Sequence, residues 1–470
     1  MRIIFLIFFG IITTTLNAQK HFKEESKKEN SINNLFTSLY KDGQFTGSVL
    51  IAEKGDIVYK KSFGFADRST KEKFTSQTPC YIGSLSKQFT AMGIAILKER
   101  QQINYDNSLR QYFPELPEFY RSVTILQMLH QTSGIAIFND FPDMTENDVL
   151  EILKKETTLR FTPGSKFEYC NANYTLLGLI IEKIAGKNLD DFLTENIFIP
   201  VNMKNTYVDI PSKKRRRAVG YYLFGDSYNY STYIGGAAAI VSTVDDLYKW
   251  DQMLYYPSII SKKTLDEIFT PDSFNWNSPV YGKQSYGMGW FISDNDRIVQ
   301  HDGGFAGFRS YIERQINNKI TIIYISNIRH ELKDDIRNAI LNILNNKPYT
   351  VPKISAANKI VAQSNLFGMK KAISNYKNLP DSDKIKYNFN ERECNSLAYY
   401  LLRNNRQNDA IQLFKLNTEE FPQSANVYDS LGEAYLQIGE KTKAIESYKK
   451  VLQLDPNNGN AIYMLKKIEE

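Results

Sequence analysis

The sequence predicts an α+β fold: an antiparallel sheet flanked by helices with a helical subdomain, followed by an all-α tail. Strand-like runs lie at both ends of the stretch 30–346 with a long helical region between them, so that terminal segments complete one sheet. Beyond it, an internal repeat of helical character takes over. The 470 residues, 42% hydrophobic and 23% charged, have ordinary globular composition and enough length for two or three domains.

The chain opens with Arg2, the apolar run Ile3–Ile12, and small or polar residues ending in Leu16-Asn17-Ala18. This pattern predicts a signal peptide over 1–18, cleaved after Ala18, and a periplasmic or secreted mature chain. The run is too short to span a bilayer, which takes about 20 residues, so no transmembrane anchor is expected. Residues 19–29 are polar and read as a flexible segment. Ile32, Leu35, Phe36 and Leu39 have helical spacing. Gly47–Ala52 and Ile57–Phe63 flank Glu53-Lys54-Gly55-Asp56, a hairpin signal. After a helical region to about residue 270, Met288–Ser293, Ile298–His301, Phe308–Glu313 and Lys319–Ser326 read as strands, and Asp334–Leu344 as a closing helix. The charge of +6 is diluted along the chain, which argues against nucleic acid. Its one dense run, Lys213–Arg217, reads as a solvated loop. Cys80, Cys170 and Cys394 offer neither a disulfide framework nor a metal pattern.

Pro352 and a polar stretch mark a boundary, and 347–390 reads as a linker and helical segment. In 391–470, Ala410, Phe414 and Pro422 recur 34 residues later as Ala444, Tyr448 and Pro456. This resembles the tetratricopeptide repeat, a helix–turn–helix unit, with Asn460–Ile468 as a capping helix. Such repeats imply a protein partner held in a helical groove.

Three clusters carry chemistry. In Ser84-Leu85-Ser86-Lys87, a helix starting at Ser84 puts the hydroxyl and the amine on one face. The helix N-terminus favours developing negative charge, and a lysine made neutral by burial can accept the serine proton. Ser374–Lys377 and Ser447–Lys450 fit the same template, but only Ser84–Lys87 follows a Gly and a strand-like lead-in and opens a helix that is apolar nearly all round. Tyr169-Cys170-Asn171 lies between the turn Thr162-Pro163-Gly164 and a helix from Tyr174, so the phenol can move protons and the amide can hold substrate from a loop. His301-Asp302-Gly303-Gly304 follows a strand, and its glycines permit close approach of a substrate. Backbone N–H groups of Ser84 and Gly304 can together form an oxyanion hole.

In order and spacing these motifs resemble the serine β-lactamase-related superfamily, which includes class C β-lactamases, penicillin-binding D-alanyl-D-alanine carboxypeptidases and related esterases. Leu126–Gly134, Tyr174–Gly186, Gly235–Trp250 and His301–Ser310 add to the likeness, which spans roughly residues 30–345. The resemblance implies a β-lactamase/transpeptidase-like fold for 30–346. It implies that Ser84 is acylated, that Lys87 and Tyr169 handle protons, that Asn171, His301 and Gly303 contact substrate, and that Ser84 and Gly304 supply oxyanion donors. It leaves open whether Lys87 or Tyr169 is the main base, gives His130 a structural role, and requires no cofactor. Where class C enzymes have Lys-Thr-Gly, this chain has His301-Asp302-Gly303, which sets an anion against a carboxylate-bearing substrate. The expected function is therefore an exported serine hydrolase acting on ester or D-amino-acid peptide and amide substrates. The alternative is a non-catalytic scaffold that holds a protein partner.

Overall fold

The structure is a computed structural model describing residues 26–136, 145–222, 225, 227, 234–293 and 297–469. The expected signal peptide lies outside the described residues. The first helix, α1, covers 26–41, so the end of the segment expected to be flexible is helical.

Among the described residues, eight strands form one antiparallel sheet. In chain order they are β1 (Gly47–Glu53), β2 (Asp56–Phe63), β3 (Asn275–Ser278), β4 (Gly282–Tyr286), β5 (Phe291–Ser293), β6 (Ile298–Phe305), β7 (Phe308–Gln315) and β8 (Ile320–Ser326). Their spatial order is β2-β1-β8-β7-β6-β5-β4-β3. The first strand thus pairs with the last, Gly47 opposite Ser326. β6 continues through the His-Asp-Gly-Gly motif to Phe305, beyond the end expected at His301.

The central strands β1, β7 and β8 are buried on both faces, and period-2 alternation sorts their side chains. Val49 and Ile51 of β1, with Ile322 and Tyr324 of β8, pack against Ile32, Leu35 and Phe36 of α1 and Ile336 and Ile340 of the helix Lys333–Leu344. Leu50, Ile323 and Ile325 join the larger core around α2 (Ser86–Glu99) and α3 (Asn171–Ala185). α2 is buried from Ser86 to Leu97 and is the central helix of this core. A buried ion pair ties the helix Val244–Tyr255 to the sheet: Arg314 Nε lies 2.6 Å from Asp251 Oδ1, and Thr321 donates to the other carboxylate oxygen at 2.9 Å.

The cationic run is a loop with Lys214, Arg215 and Arg216 exposed, as expected, but several of its side chains are tied by ion pairs. Arg215 grips the buried Asp190 through both terminal nitrogens at 2.9 and 2.7 Å, and Lys213 adds a third contact at 3.1 Å. Arg217 pairs with Asp209 at 3.0 Å and lies over the ring of Tyr81. The partners sit outside the run, which is why composition alone suggests an open loop.

The chain divides into two compact units at Val351–Pro352. Residues 347–351 go with the first unit, where Tyr349 donates to the carbonyl of Ser31. In the second, the helices Ala356–Phe367 and Met369–Lys377 fill much of the expected linker. The pairs Glu391–Arg403 with Gln407–Glu420, and Ala425–Gln437 with Lys441–Leu454, precede a last helix Gly459–Glu469. Ala410, Phe414, Ala444 and Tyr448 are all fully buried, as repeat-phase residues should be. A β-carbon at Gly432 would stand 3.1 Å from the ring of Tyr448, so glycine sets the close approach of the second helix pair. No helix among the described residues is long and apolar enough to cross a membrane.

Candidate active site

A short strand, Cys80–Tyr81, leads into a tight 3-10 turn, Gly83–Leu85, which runs directly into α2. Gly83 has φ +52°, a conformation that favours glycine. Ser84 is thereby half-buried at the head of the central helix, while Lys87, one turn on, is wholly buried.

Lys87 Nζ hydrogen-bonds with Ser84 Oγ at 3.2 Å, Asn171 Oδ1 at 2.8 Å and the carbonyl of Ala237 at 3.0 Å. The last two partners are acceptors and hold two amine hydrogens. The third direction points at Ser84. There a protonated lysine donates to the serine oxygen, and a neutral lysine presents its lone pair to the serine hydroxyl. The geometry therefore suits a proton moving between the two groups without rearrangement of the amine.

Asn171 is the first residue of α3. Gln131, buried and at φ +62°, positions this segment: its Oε1 accepts from the backbone N–H of Cys170 at 3.0 Å and from Asn173 Nδ2 at 2.7 Å. Ser133 donates to Asn173 Oδ1 at 2.6 Å. The role of Gln131 was not read from sequence, because it acts on a segment 39 positions away. The ring centroid of Tyr169 lies 4.9 Å from Lys87 Nζ, and the ring stacks on Phe291 at 6.2 Å.

The glycine strand closes against the serine turn. A β-carbon on Gly83 would meet the Gly304 nitrogen at 2.7 Å, and one on Gly303 would stand 2.0 Å from the carbonyl oxygen of Ile82. Ser310, opposite Gly303, donates to that same oxygen at 2.7 Å. The backbone of Gly304 is thus brought beside the turn that carries Ser84, as an oxyanion pair requires.

His301 is placed differently from the expected substrate contact. It is 2% exposed. Its Nδ1 lies 2.6 Å from the carbonyl of Asp302, which requires Nδ1–H; Nε2 then accepts from the Tyr286 hydroxyl at 3.3 Å. Burial pushes its pKa down, so the ring is neutral at pH 7. With both nitrogens engaged, His301 backs the site, 6.1 Å from the Tyr169 ring, and does not offer a nitrogen to substrate. His130 is likewise buried, its Nδ1 3.2 Å from the carbonyl of Tyr286. Asp302 faces Lys333, at 3.5 Å. Burial opposes its ionisation, but the cations Lys333 and Arg309 outweigh that and hold the carboxyl below its usual range.

A mixed α/β domain with a serine and a buried lysine one turn apart at the head of its central helix defines a protein of the serine hydrolase superfamily that includes the penicillin-binding proteins. The chain belongs to the beta-lactamase family, whose model matches residues 32–346; a tetratricopeptide repeat matches 425–458. It is 32% identical over 367 residues to penicillin-binding protein 4* of Bacillus subtilis (strain 168), covering 71% of this chain and 80% of that protein. It is 28% identical over 331 residues to the putative penicillin-binding protein PbpX of the same strain, covering 68% and 81%. The solved structure of an octameric penicillin-binding protein homologue from Pyrococcus abyssi matches with a TM-score of 0.60 at 25% identity, over 68% of this chain and 77% of that one.

Proposed function

We propose that this chain is an exported serine hydrolase that acts through an acyl-enzyme on Ser84, with ester or D-amino-acid peptide and amide substrates. The observation that carries the reading is the buried Lys87 amine, held by Asn171 Oδ1 and the Ala237 carbonyl 3.2 Å from Ser84 Oγ, within reach of the serine proton.

The serine proton passes to Lys87 as Oγ attacks the substrate carbonyl. The resulting oxyanion lies between the backbone N–H groups of Ser84 and Gly304. Tyr169, above the Lys87 amine, delivers a proton to the leaving group as the carbon–leaving-group bond breaks. Asn171 orients the substrate, and Gly303 keeps the strand close enough for it to be held. Water then attacks the acyl-serine and gives its proton to the Tyr169 phenolate, Lys87 returns the serine proton to Oγ as the acyl bond breaks, and the acid is released. The pairing of Asp302 with Lys333 relieves the conflict between that anion and a carboxylate-bearing substrate. The penicillin-binding relatives support D-peptide chemistry, the leader-like N-terminus supports export, and the repeat tail supports a protein partner.

The test is labelling by a fluorescent fluorophosphonate. Wild type should label and Ser84→Ala should not. Folded wild type that resists both this probe and a fluorescent penicillin would rule the reading out in favour of a non-catalytic scaffold.

A further inference from the structure

Beyond Tyr169 the site is continued by a wall of aromatic rings on which the proton-transfer chemistry makes no demand. Register builds it. Trp276 on β3 lies opposite Gln284, and Tyr286 lies opposite Phe291 on β5. Gln284 and Tyr286 are two residues apart on β4, so Trp276, Tyr286 and Phe291 share one face of this three-strand ribbon. Phe167, two residues before Tyr169, joins from the loop.

The rings are contiguous. Tyr169 stacks on Phe291 at 6.2 Å and 12°. Phe291 meets Trp276 edge-on at 6.0 Å, and Trp276 stacks on Phe167 at 4.7 Å and 22°. Tyr286 is fully buried behind them. Phe167, Tyr169, Trp276 and Phe291 are all half-buried, so each keeps part of a large apolar surface in contact with solvent. An exposed aromatic surface continuous with a catalytic group is what a flat apolar ligand covers to advantage, through area burial and ring stacking.

We infer that this wall selects the leaving group, and that the preferred substrates are esters, thioesters or amides whose leaving alcohol, thiol or amine carries an aromatic side chain. The inference rests on the function proposed above, in which Tyr169 protonates the leaving group. The wall begins at Tyr169, whose ring lies 4.9 Å from Lys87 Nζ, and passes to Phe291 and then Trp276, so a group departing past that phenol meets those rings in turn. Acyl transfer itself is unchanged: the Ser84 Oγ–acyl bond forms, the bond to the leaving group breaks, and the leaving group takes its proton from Tyr169.

The experiment compares S-benzyl thioacetate with S-(2-hydroxyethyl) thioacetate, which share an acyl group and whose thiols have similar acidity. Released thiol is followed colorimetrically on the full chain. The wild-type kcat/KM ratio should favour the benzyl ester by about tenfold, the range one well-packed ring supplies. Trp276→Ala should bring the ratio below about threefold, and Trp276→Phe, which keeps a ring, should hold most of the preference. A ratio near one in wild type, or an undiminished ratio in Trp276→Ala, overturns the inference. So does turnover of neither thioester by wild type whose Ser84 still labels with fluorophosphonate, an outcome that leaves the proposed hydrolase standing. Failure to label Ser84 at all removes the hydrolase and this inference together.

Discussion

The α-carbon of Gly303 approaches Ile82 so closely that a β-carbon there would stand 2.0 Å from the Ile82 carbonyl oxygen. Ile82 is two residues before Ser84, so this contact sets the position of the reactive turn. Gly303→Ala should push the turn away from β6. The expected result is a loss of at least about a hundredfold in kcat/KM, with destabilisation of about 1–3 kcal/mol. Ester kinetics beside a thermal melt check both. Wild-type kinetics in Gly303→Ala would show that the contact does not govern the site.

Lys87→Met keeps the length of the side chain and removes the amine. Asn171 Oδ1 and the Ala237 carbonyl then lose a donor and Ser84 loses its proton partner. Acylation should slow by about 10²–10⁴-fold, read as the rate of fluorophosphonate labelling. Circular dichroism confirms that the variant is folded.

Acidification should destabilise the first unit. His130, His301 and His330 are buried, and burial lowers each pKa from 6.5, that of His330 to about 3. Below pH 6.5 the unfolded chain binds protons at these rings that the folded chain does not. Stability is therefore fully present above that pH and falls between about pH 6.5 and 5, by on the order of 1 kcal/mol per ring. Chemical denaturation at pH 7.5 and pH 5 measures this, and equal midpoints would contradict it.

Asp190→Ala should cost about 1–3 kcal/mol, because the buried carboxylate also accepts the Val208 N–H at 2.9 Å. The 213–217 segment, released from Asp190, should become sensitive to trypsin in a limited digest while wild type resists.

The sequence showed some of this and hid the rest for identifiable reasons. The serine–lysine spacing, the Tyr-x-Asn loop and the 34-residue phase of the tail are local patterns, and local patterns survive in a string of letters. β3 and β4 are not legible in the sequence because Asn275–Ser278 and Gly282–Tyr286 are polar ribbon strands, with large apolar side chains confined to Trp276 and Tyr286. The Ala237 carbonyl that holds Lys87 is a backbone atom 150 positions away, and no side-chain motif reports it. The binding of Lys213 and Arg215 by Asp190 is likewise a tertiary contact. That the nitrogens of His301 face the Asp302 carbonyl and the Tyr286 hydroxyl is likewise a tertiary fact that spacing does not reveal.

The pairing of β1 with β8 has a consequence for synthesis. Gly47 leaves the ribosome some 280 residues before its partner Ser326. Until then the leading hairpin has one free flank and the apolar face of α1 lacks the cover that β8 and the helix Lys333–Leu344 supply. A nascent chain arrested before Ile320 should therefore be digested by a protease that spares one arrested well beyond Ser326. The sheet is a clasp whose two halves are made first and last, and a growing chain must be kept from aggregating until it can close.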